Sequence, residues 1–117
     1  MADVVGNYTV HGLPLDVMWN DIDYMDKYKN WTTDPVRYPS DDFKKFVTGL
    51  HAQGKRFVPI VDAGVAKLDY FGYNEGIAAN VFIPSPNVDG PFTGQVWPGD
   101  AVYTDYFHPN ATDYWSA

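Results

Sequence analysis

The stretch that decides the fold reads Pro14-Leu15-Asp16-Val17-Met18-Trp19-Asn20-Asp21-Ile22-Asp23-Tyr24-Met25-Asp26. It begins with apolar residues on both faces of a predicted strand, 13–23, which is typical of a parallel strand that is covered on both sides. It ends in a cluster of carboxylates. Because the C-terminal ends of parallel strands carry the active-site residues of α/β barrels, the acidic end of this strand is the first candidate site.

A second strand, predicted over 56–62, repeats the pattern, with apolar residues followed by Asp62. Between the two strands, residues 40–53 place apolar side chains at helical spacing. Aspartates occupy the first turn of this predicted helix, and Gly54 follows its last turn. The order strand, helix, strand predicts a parallel pair joined by a right-handed crossover.

A long aromatic loop, 63–108, follows the second strand, and within it 80–83 and 93–97 are predicted to pair as a β-hairpin. Long loops at the carboxyl ends of barrel strands are commonly functional. Two parallel strands and one helix leave much of a sheet uncovered. We therefore expect an α/β fold in which residues 1–117 are a partial domain, a slice of a larger (β/α)8 TIM barrel. An independent small α/β domain is the alternative.

The net charge of −7 disfavours two classes of partner. Nucleic acid and anionic membrane surfaces both require basic protein surfaces. The apolar runs are also much shorter than a membrane span requires. The chain has no cysteine, which excludes disulfides. His11 and His108 lack carboxylate or histidine partners at ligand spacing, so we predict no metal site and no cofactor.

Aromatic residues make up 17% of the chain, an excess that fits either sugar binding or core packing. Three N-x-T sequons add a second ambiguity, at Asn7-Tyr8-Thr9, Asn30-Trp31-Thr32 and Asn110-Ala111-Thr112. They arise by chance or belong to a secreted, vacuolar or lysosomal parent protein.

Three motifs occur in order along the chain: Trp19-Asn20-Asp21-Ile22-Asp23-Tyr24-Met25, Val58-Pro59-Ile60-Val61-Asp62-Ala63-Gly64 and Gly94-Gln95-Val96-Trp97-Pro98-Gly99. Together they resemble glycoside hydrolase family 31, and within it the α-glucosidases. By this resemblance the two strands are the second and third of the family's eight-stranded barrel. The loop 63–108 then helps to wall the active-site pocket.

The family's enzymes are retaining, exo-acting hydrolases that release α-glucose from maltose-like oligosaccharides. The resemblance implies that Asp21 accepts hydrogen bonds from hydroxyls of the terminal glucose. It implies that Ile22 and Ile60 line the sugar ring and that Trp97 stacks at the base of the pocket. Asp62 is implied to orient neighbouring residues without touching the sugar, and Asp23 is implied to hold the end of the strand.

The chain departs from the family pattern in one decisive respect. The family's nucleophile lies in a Trp-x-Asp-Met-Asn-Glu motif, which does not occur here, since Trp19-Asn20-Asp21 is not followed by Met-Asn-Glu. In the family, the acid/base aspartate lies further downstream still. We therefore expect no catalytic residue in this chain and no activity from the chain alone. Its implied partners are an α-glucoside and the remainder of the catalytic barrel.

Two other functions stay open. One is non-catalytic carbohydrate binding. The other is a metal-dependent glycosyltransferase, which the short D-x-D pattern Asp21-Ile22-Asp23 would indicate. Structural roles are also available for two site residues, because Asp21 can cap a loop and Trp97 can pack within a hairpin.

Overall fold

The structure, a computed structural model, describes residues 1–116, so Ala117, the last residue of the predicted domain, lies outside the described residues. The chain divides into two compact units. Unit 1 comprises residues 1–26 and 33–60, and unit 2 comprises residues 27–32 and 61–116. The elements in chain order are α1 (Ala2–Val10), β1 (Val17–Asn20), α2 (Ser40–Ala52), β2 (Arg56–Pro59), β3 (Gly64–Ala66), α3 (Phe71–Ala79), β4 (Gly94–Val96), β5 (Gly99–Tyr103) and α4 (Ala111–Ser116).

In unit 1, β1 and β2 pair in parallel, with Val17 opposite Arg56 and Asn20 opposite Pro59. The ladder continues past both strand ends, since Arg56 N donates to Asp16 O (2.8 Å) and Ile60 N donates to Asn20 O (3.0 Å). Parallel strands need a crossover connection, and α2 provides it. The predicted parallel pair with an intervening helix is confirmed.

Both strands are shorter than predicted. The first spans Val17–Asn20 rather than 13–23, because at its far end the chain turns into a 3₁₀ segment, Ile22–Tyr24. The second spans Arg56–Pro59 rather than 56–62. The helix ends at Ala52 instead of residue 53. Strand propensity continues beyond these limits, but a strand lasts only as long as its partner pairs with it.

Helix α2 covers one face of the two-stranded sheet. The rings of Phe43 and Phe46 meet the Phe57 ring edge-on at centroid distances of 5.3 and 6.4 Å. On the opposite face Trp19 and its cross-strand partner Val58 remain 52% and 45% exposed. The expectation that β1 is covered on both sides is therefore met on one side only by the described residues.

Pro59 occupies a strand position without breaking the β1–β2 ladder. Hydrogen-bonding directions alternate along a parallel strand, and the amides of Arg56 and Ile60 point toward β1. The nitrogen of Pro59 therefore faces the other edge of β2. Proline is tolerated at that edge because it removes no donor from the existing pair.

Unit 2 contains a three-stranded antiparallel sheet in the order β3-β5-β4. The predicted hairpin between 80–83 and 93–97 forms only in part, because Phe92 N donates to Ile83 O at 2.7 Å and Pro84 bridges Pro91, whereas 94–96 pair with another strand. Strand β4 pairs with β5 across a two-residue turn, Trp97-Pro98, with Gly99 at φ +93°. Segment 80–83 also pairs alongside the end of β5, through a bridge from Phe82 to Thr104 and a 2.9 Å hydrogen bond from Ile83 N to Tyr103 O. A Pro-Gly turn signal at 98–99 was present in the sequence and decides the pairing.

Helix α3 lies inside the segment that was predicted to be a loop. Its apolar residues are distributed around the helix, so the sequence shows no amphipathic stripe. Two glycines let aromatic rings lie directly against it. A Cβ at Gly72 would sit 2.9 Å from the Trp31 ring, and a Cβ at Gly76 would sit 2.2 Å from the Phe82 ring. The buried core of unit 2 is built on this contact and contains Val65, Ala66, Tyr70, Val81, Phe82 and Val102.

The Tyr70 side chain is 9% exposed, and its hydroxyl makes no hydrogen bond of good geometry with a described residue. Burial raises the pKa of Tyr70 to about 12, and the nearby Ala66 backbone offsets part of the rise. Burial also raises the pKa of Tyr114. The folded chain therefore holds these phenols neutral at a pH where the unfolded chain ionises them.

We predict that Gly76→Ala lowers the free energy of unfolding by about 1–3 kcal/mol, because an added methyl group would overlap the Phe82 ring, which is packed in the core. Gly49→Ala in α2 is the matched control. Nothing lies within 4 Å of its added Cβ, so the gain in helix propensity should stabilise the chain by up to about 1 kcal/mol. Urea denaturation of both variants measures this pair, and a stabilising Gly76→Ala would contradict the Phe82 contact.

We predict that the chain loses stability between pH 10 and 12. Because the Tyr70 pKa is higher in the folded state, its contribution is complete below pH 10 and is lost as pH rises toward 12, by up to about 3 kcal/mol. Tyr70→Phe should be close to neutral at pH 7, since the hydroxyl it removes makes no hydrogen bond of good geometry with residues 1–116, and it should flatten the alkaline loss. Unfolding free energies at pH 7, 10 and 11.5 test this, with Tyr8→Phe on α1 as a control that keeps the steep loss.

Candidate functional site

The carboxyl ends of β1 and β2 lie side by side in unit 1 and carry four of the predicted site residues. Ile60 is held at both of its backbone groups. Its N donates to Asn20 O at 3.0 Å, and its O accepts a 2.7 Å hydrogen bond from the Tyr24 hydroxyl. Tyr24 is 6% exposed, and burial raises its pKa, so it stays a neutral donor. The backbone at this rim, formed by the carboxyl ends of the two strands, is therefore fixed by a part-buried side-chain hydrogen bond as well as by the ladder.

Asp21 directly follows β1 and is exposed. One carboxylate oxygen, Oδ1, accepts a 2.8 Å hydrogen bond from Ile22 N and caps the 3₁₀ turn Ile22–Tyr24. No described residue donates a hydrogen bond to Oδ2. The capping role considered from the sequence is thus real, and it orients the carboxylate while leaving its second oxygen open to a ligand.

Ile22 and Asp23 occupy the 3₁₀ turn itself. Ile22 is half-buried and accepts the Met25 amide at 3.0 Å, whereas Asp23 is exposed. A neighbouring loop presents Arg37, whose guanidinium Nε donates to Asp34 Oδ2 at 2.9 Å. The pKa of Asp34 is lowered mainly by its hydrogen bonds from Arg37 and Val36. Asp34 raises the pKa of Arg37, and Asp23 adds a smaller electrostatic contribution in the same direction.

In unit 2, Asp62 lies in a turn that leads into β3. Its Oδ1 accepts from Gly64 N at 3.3 Å, and its backbone N and O are both bonded to the side chain of Asn30, at 3.0 and 2.7 Å. Asn30 is fully buried. In the sequence, Asn30 stands out only as the first residue of a sequon. No local pattern predicts a hydrogen bond between residues that are 32 positions apart.

Trp97 lies in the tight turn between β4 and β5 and is 67% exposed. It is therefore a turn residue and not the end of a strand, as the predicted hairpin had it. A ring this exposed in its own unit is not explained by packing within the hairpin.

Most other aromatic side chains of unit 2 pack against each other. The Trp31 ring meets Tyr114 and Trp115 edge-on at 5.8 and 5.1 Å, and Tyr73 stacks on Phe82 at 5.9 Å. The aromatic excess thus serves largely as core in this unit.

The three sequons differ in accessibility. Asn30 is buried and both ends of its amide are hydrogen-bonded to Asp62, which leaves no room for a glycan in the folded chain. Asn7 and Asn110 are exposed. Within residues 1–116, no helix is long and apolar enough to cross a membrane. The same residues contain no group of three or more His, Asp or Glu side chains that could hold a metal ion.

The whole chain, residues 1–117, matches the model of the glycosyl hydrolases family 31 TIM-barrel domain. A probable alpha/beta-glucosidase from Neosartorya fischeri is 41% identical over 116 residues, which are 99% of this chain and 13% of that protein. Glucoamylase 1 from Candida albicans is 39% identical over 125 aligned residues, again 99% of this chain and 13% of the relative. The chain thus spans about an eighth of the length of these relatives.

Solved structures agree with the sequence relatives. The crystal structure of a glucosidase II alpha subunit superposes with a TM-score of 0.83 at 27% identity, over 97% of this chain and 12% of that one. A family 31 alpha-glucosidase from Bacteroides thetaiotaomicron gives a TM-score of 0.81 at 29% identity, over 98% of this chain and 19% of that one. The parallel pair, the crossover helix and the sheet that follows are therefore a piece of an α/β TIM barrel.

Proposed function

This chain belongs to glycosyl hydrolase family 31, and we propose that it forms one wall of the glucose pocket of a retaining, exo-acting α-glucosidase. The observation that carries the proposal is the arrangement at the carboxyl ends of β1 and β2, where Asp21 and Ile60 follow adjacent parallel strands. Active sites of barrel enzymes are built from these ends. We assign residues 1–117 to the catalytic barrel, with 63–108 as the pocket-wall loop.

The chemistry of the rim suits recognition of a terminal glucose. The open Oδ2 of Asp21 accepts hydrogen bonds from sugar hydroxyls, and a charged acceptor makes such bonds stronger and more directional. Ile22 and Ile60 offer aliphatic surface to the apolar face of the ring. Trp97, exposed at the hairpin turn, offers a flat surface on which a pyranose can stack.

Asp23 and Asp62 have supporting roles in this proposal. Asp62 fixes its own turn through Gly64 N, and Asp23 adds negative charge beside Arg37. Neither takes part in bond cleavage. Retaining glycosidases need two carboxyl groups about 5 Å apart, one as nucleophile and one as acid/base. Because the family's nucleophile motif is absent from residues 1–117, we assign both groups to other parts of the barrel.

Non-catalytic sugar binding is the second candidate. It is favoured by the same absence of the nucleophile motif together with the exposed Trp97 ring. It differs from the first proposal in one respect, because a binding piece has no need of a barrel that supplies catalytic carboxylates.

We consider a chimera in which this chain replaces the matching 116 residues of the Neosartorya fischeri relative. We predict that this chimera has α-glucosidase activity. Maltose hydrolysis is the measurement, and the anomer released, followed by NMR, reports retention. The chain alone is the blank and should release no glucose. A folded chimera that binds maltose without hydrolysing it would favour the binding role, and one that neither binds nor hydrolyses maltose would reject both candidates.

We predict that Asp21→Asn in the active chimera lowers kcat/KM for maltose by about ten- to a hundredfold, because it removes a charged acceptor that is worth roughly 1.5–3 kcal/mol. The amide oxygen can still cap Ile22 N, so the turn should persist and the melting temperature should change little. Asp41→Asn, another exposed aspartate of unit 1, is the matched control and should leave kcat/KM unchanged. Equal kinetics for the two variants would remove Asp21 from the pocket.

A further inference from the structure

Asn30 is a fully buried polar side chain that makes hydrogen bonds to the backbone of a distant segment. It is 0% exposed, although it lies in a polar loop between Lys29 and Trp31. Its Oδ1 accepts from Asp62 N at 3.0 Å, and its Nδ2 donates to Asp62 O at 2.7 Å. Gly64 O is a further, longer acceptor at 3.5 Å. One amide group therefore satisfies both backbone groups of Asp62, as a neighbouring strand would.

The backbone around Asn30 is held in an unfavourable conformation. Lys27, Tyr28 and Trp31 have φ values of 52°, 59° and 61°. Residues other than glycine pay a cost in this left-handed region, and such conformations persist only where the surroundings over-determine them. The buried bonds of Asn30 and the packing of the Trp31 ring on Tyr114 and Trp115 provide that constraint.

The turn that Asn30 holds is fixed at its other end as well. Gly64 N donates to Asp62 Oδ1, and Gly64 pairs with Tyr103 in the β3–β5 ladder. A Cβ at Gly64 would lie 2.8 Å from Val96 Cγ2, so the packing here leaves no space for a side chain at this position. With its backbone bonded to Asn30 and one oxygen bonded to Gly64 N, the Asp62 carboxylate has a single defined direction.

We propose that Asn30 is a positioning residue of the glucose pocket, which acts by holding the turn after Ile60 and with it the carboxylate of Asp62. This inference rests on the proposed function of the chain. Only a carboxamide serves both backbone groups, since an alanine serves neither and an aspartate keeps the acceptor but turns a second oxygen toward Asp62 O. The asparagine of this sequon is therefore buried and hydrogen-bonded in the folded chain.

The test uses the chimera described above, with maltose as substrate and thermal unfolding as the measure of stability. Asn30→Ala should lower kcat/KM at least tenfold at a temperature where the variant is fully folded. Asn30→Asp, which keeps the acceptor for Asp62 N, should recover part of that loss. Leu50→Ala is the control for instability alone, because Leu50 is a buried residue of α2 (2% exposed), a helix that carries none of the proposed pocket residues. It should lower the melting temperature and leave kcat/KM unchanged.

A melting temperature lowered by Asn30→Ala with kcat/KM unchanged would overturn the inference and leave Asn30 a purely structural residue. If Asn30→Ala does not fold, Asp62→Asn decides, since it keeps the oxygen that accepts from Gly64 N and removes the charge. A tenfold loss for Asp62→Asn supports the inference, and unchanged kinetics reject it. A chimera that is inactive before any substitution counts against the proposed function itself, and the inference about Asn30 falls with it.

Discussion

Parallel pairing of β1 with β2 is the constraint on which the rest of unit 1 depends. Two parallel strands cannot be joined by a tight turn, so the chain must cross over, and α2 makes that crossing on one face of the pair. The same pairing brings the residues that follow both strands to one rim. Asp21 and Ile60 both lie at this rim because the two strands run in the same direction. No side-chain contact is needed to bring them there.

Hydrogen bonds then convert this coarse placement into fixed geometry. In unit 1, the hydroxyl of Tyr24 holds the carbonyl of Ile60, and Asp21 caps the turn that carries Ile22. In unit 2, the amide of Asn30 holds Asp62. Each of these groups is neutral or uses only part of its hydrogen-bonding capacity. One carboxylate oxygen of Asp21 is left available, while the uncharged side chains of Tyr24 and Asn30 make the other hydrogen bonds named here.

The parts of the fold that follow from local pattern were predictable, and the parts that follow from long-range pairing were not. The apolar residues at helical spacing in α2 and the apolar residues of β1 and β2 predicted the strand–helix–strand unit. The order of the three motifs predicted the family. The predicted strands are longer than the observed ones, because strand propensity does not show where the pairing with the neighbouring strand ends. Helix α3 was missed because Gly72 and Gly76 weaken its pattern, although the same glycines admit the rings of Trp31 and Phe82. Asn30 was beyond prediction, since its partners lie across the tertiary fold.

Pro59 in β2 removes one backbone donor from the edge along which a further strand would pair. The nitrogen of Pro59 points away from β1, so a chain that pairs along that edge meets a carbonyl-only position there. The carbonyl group facing Pro59 must take its hydrogen from water, from a side chain or through a bulge. A shift of the incoming strand by two residues restores the same hydrogen-bonding directions, so another of its carbonyls then faces Pro59. A single imino acid thus leaves one hydrogen bond of that neighbouring ladder without a backbone donor, whichever register the strand takes.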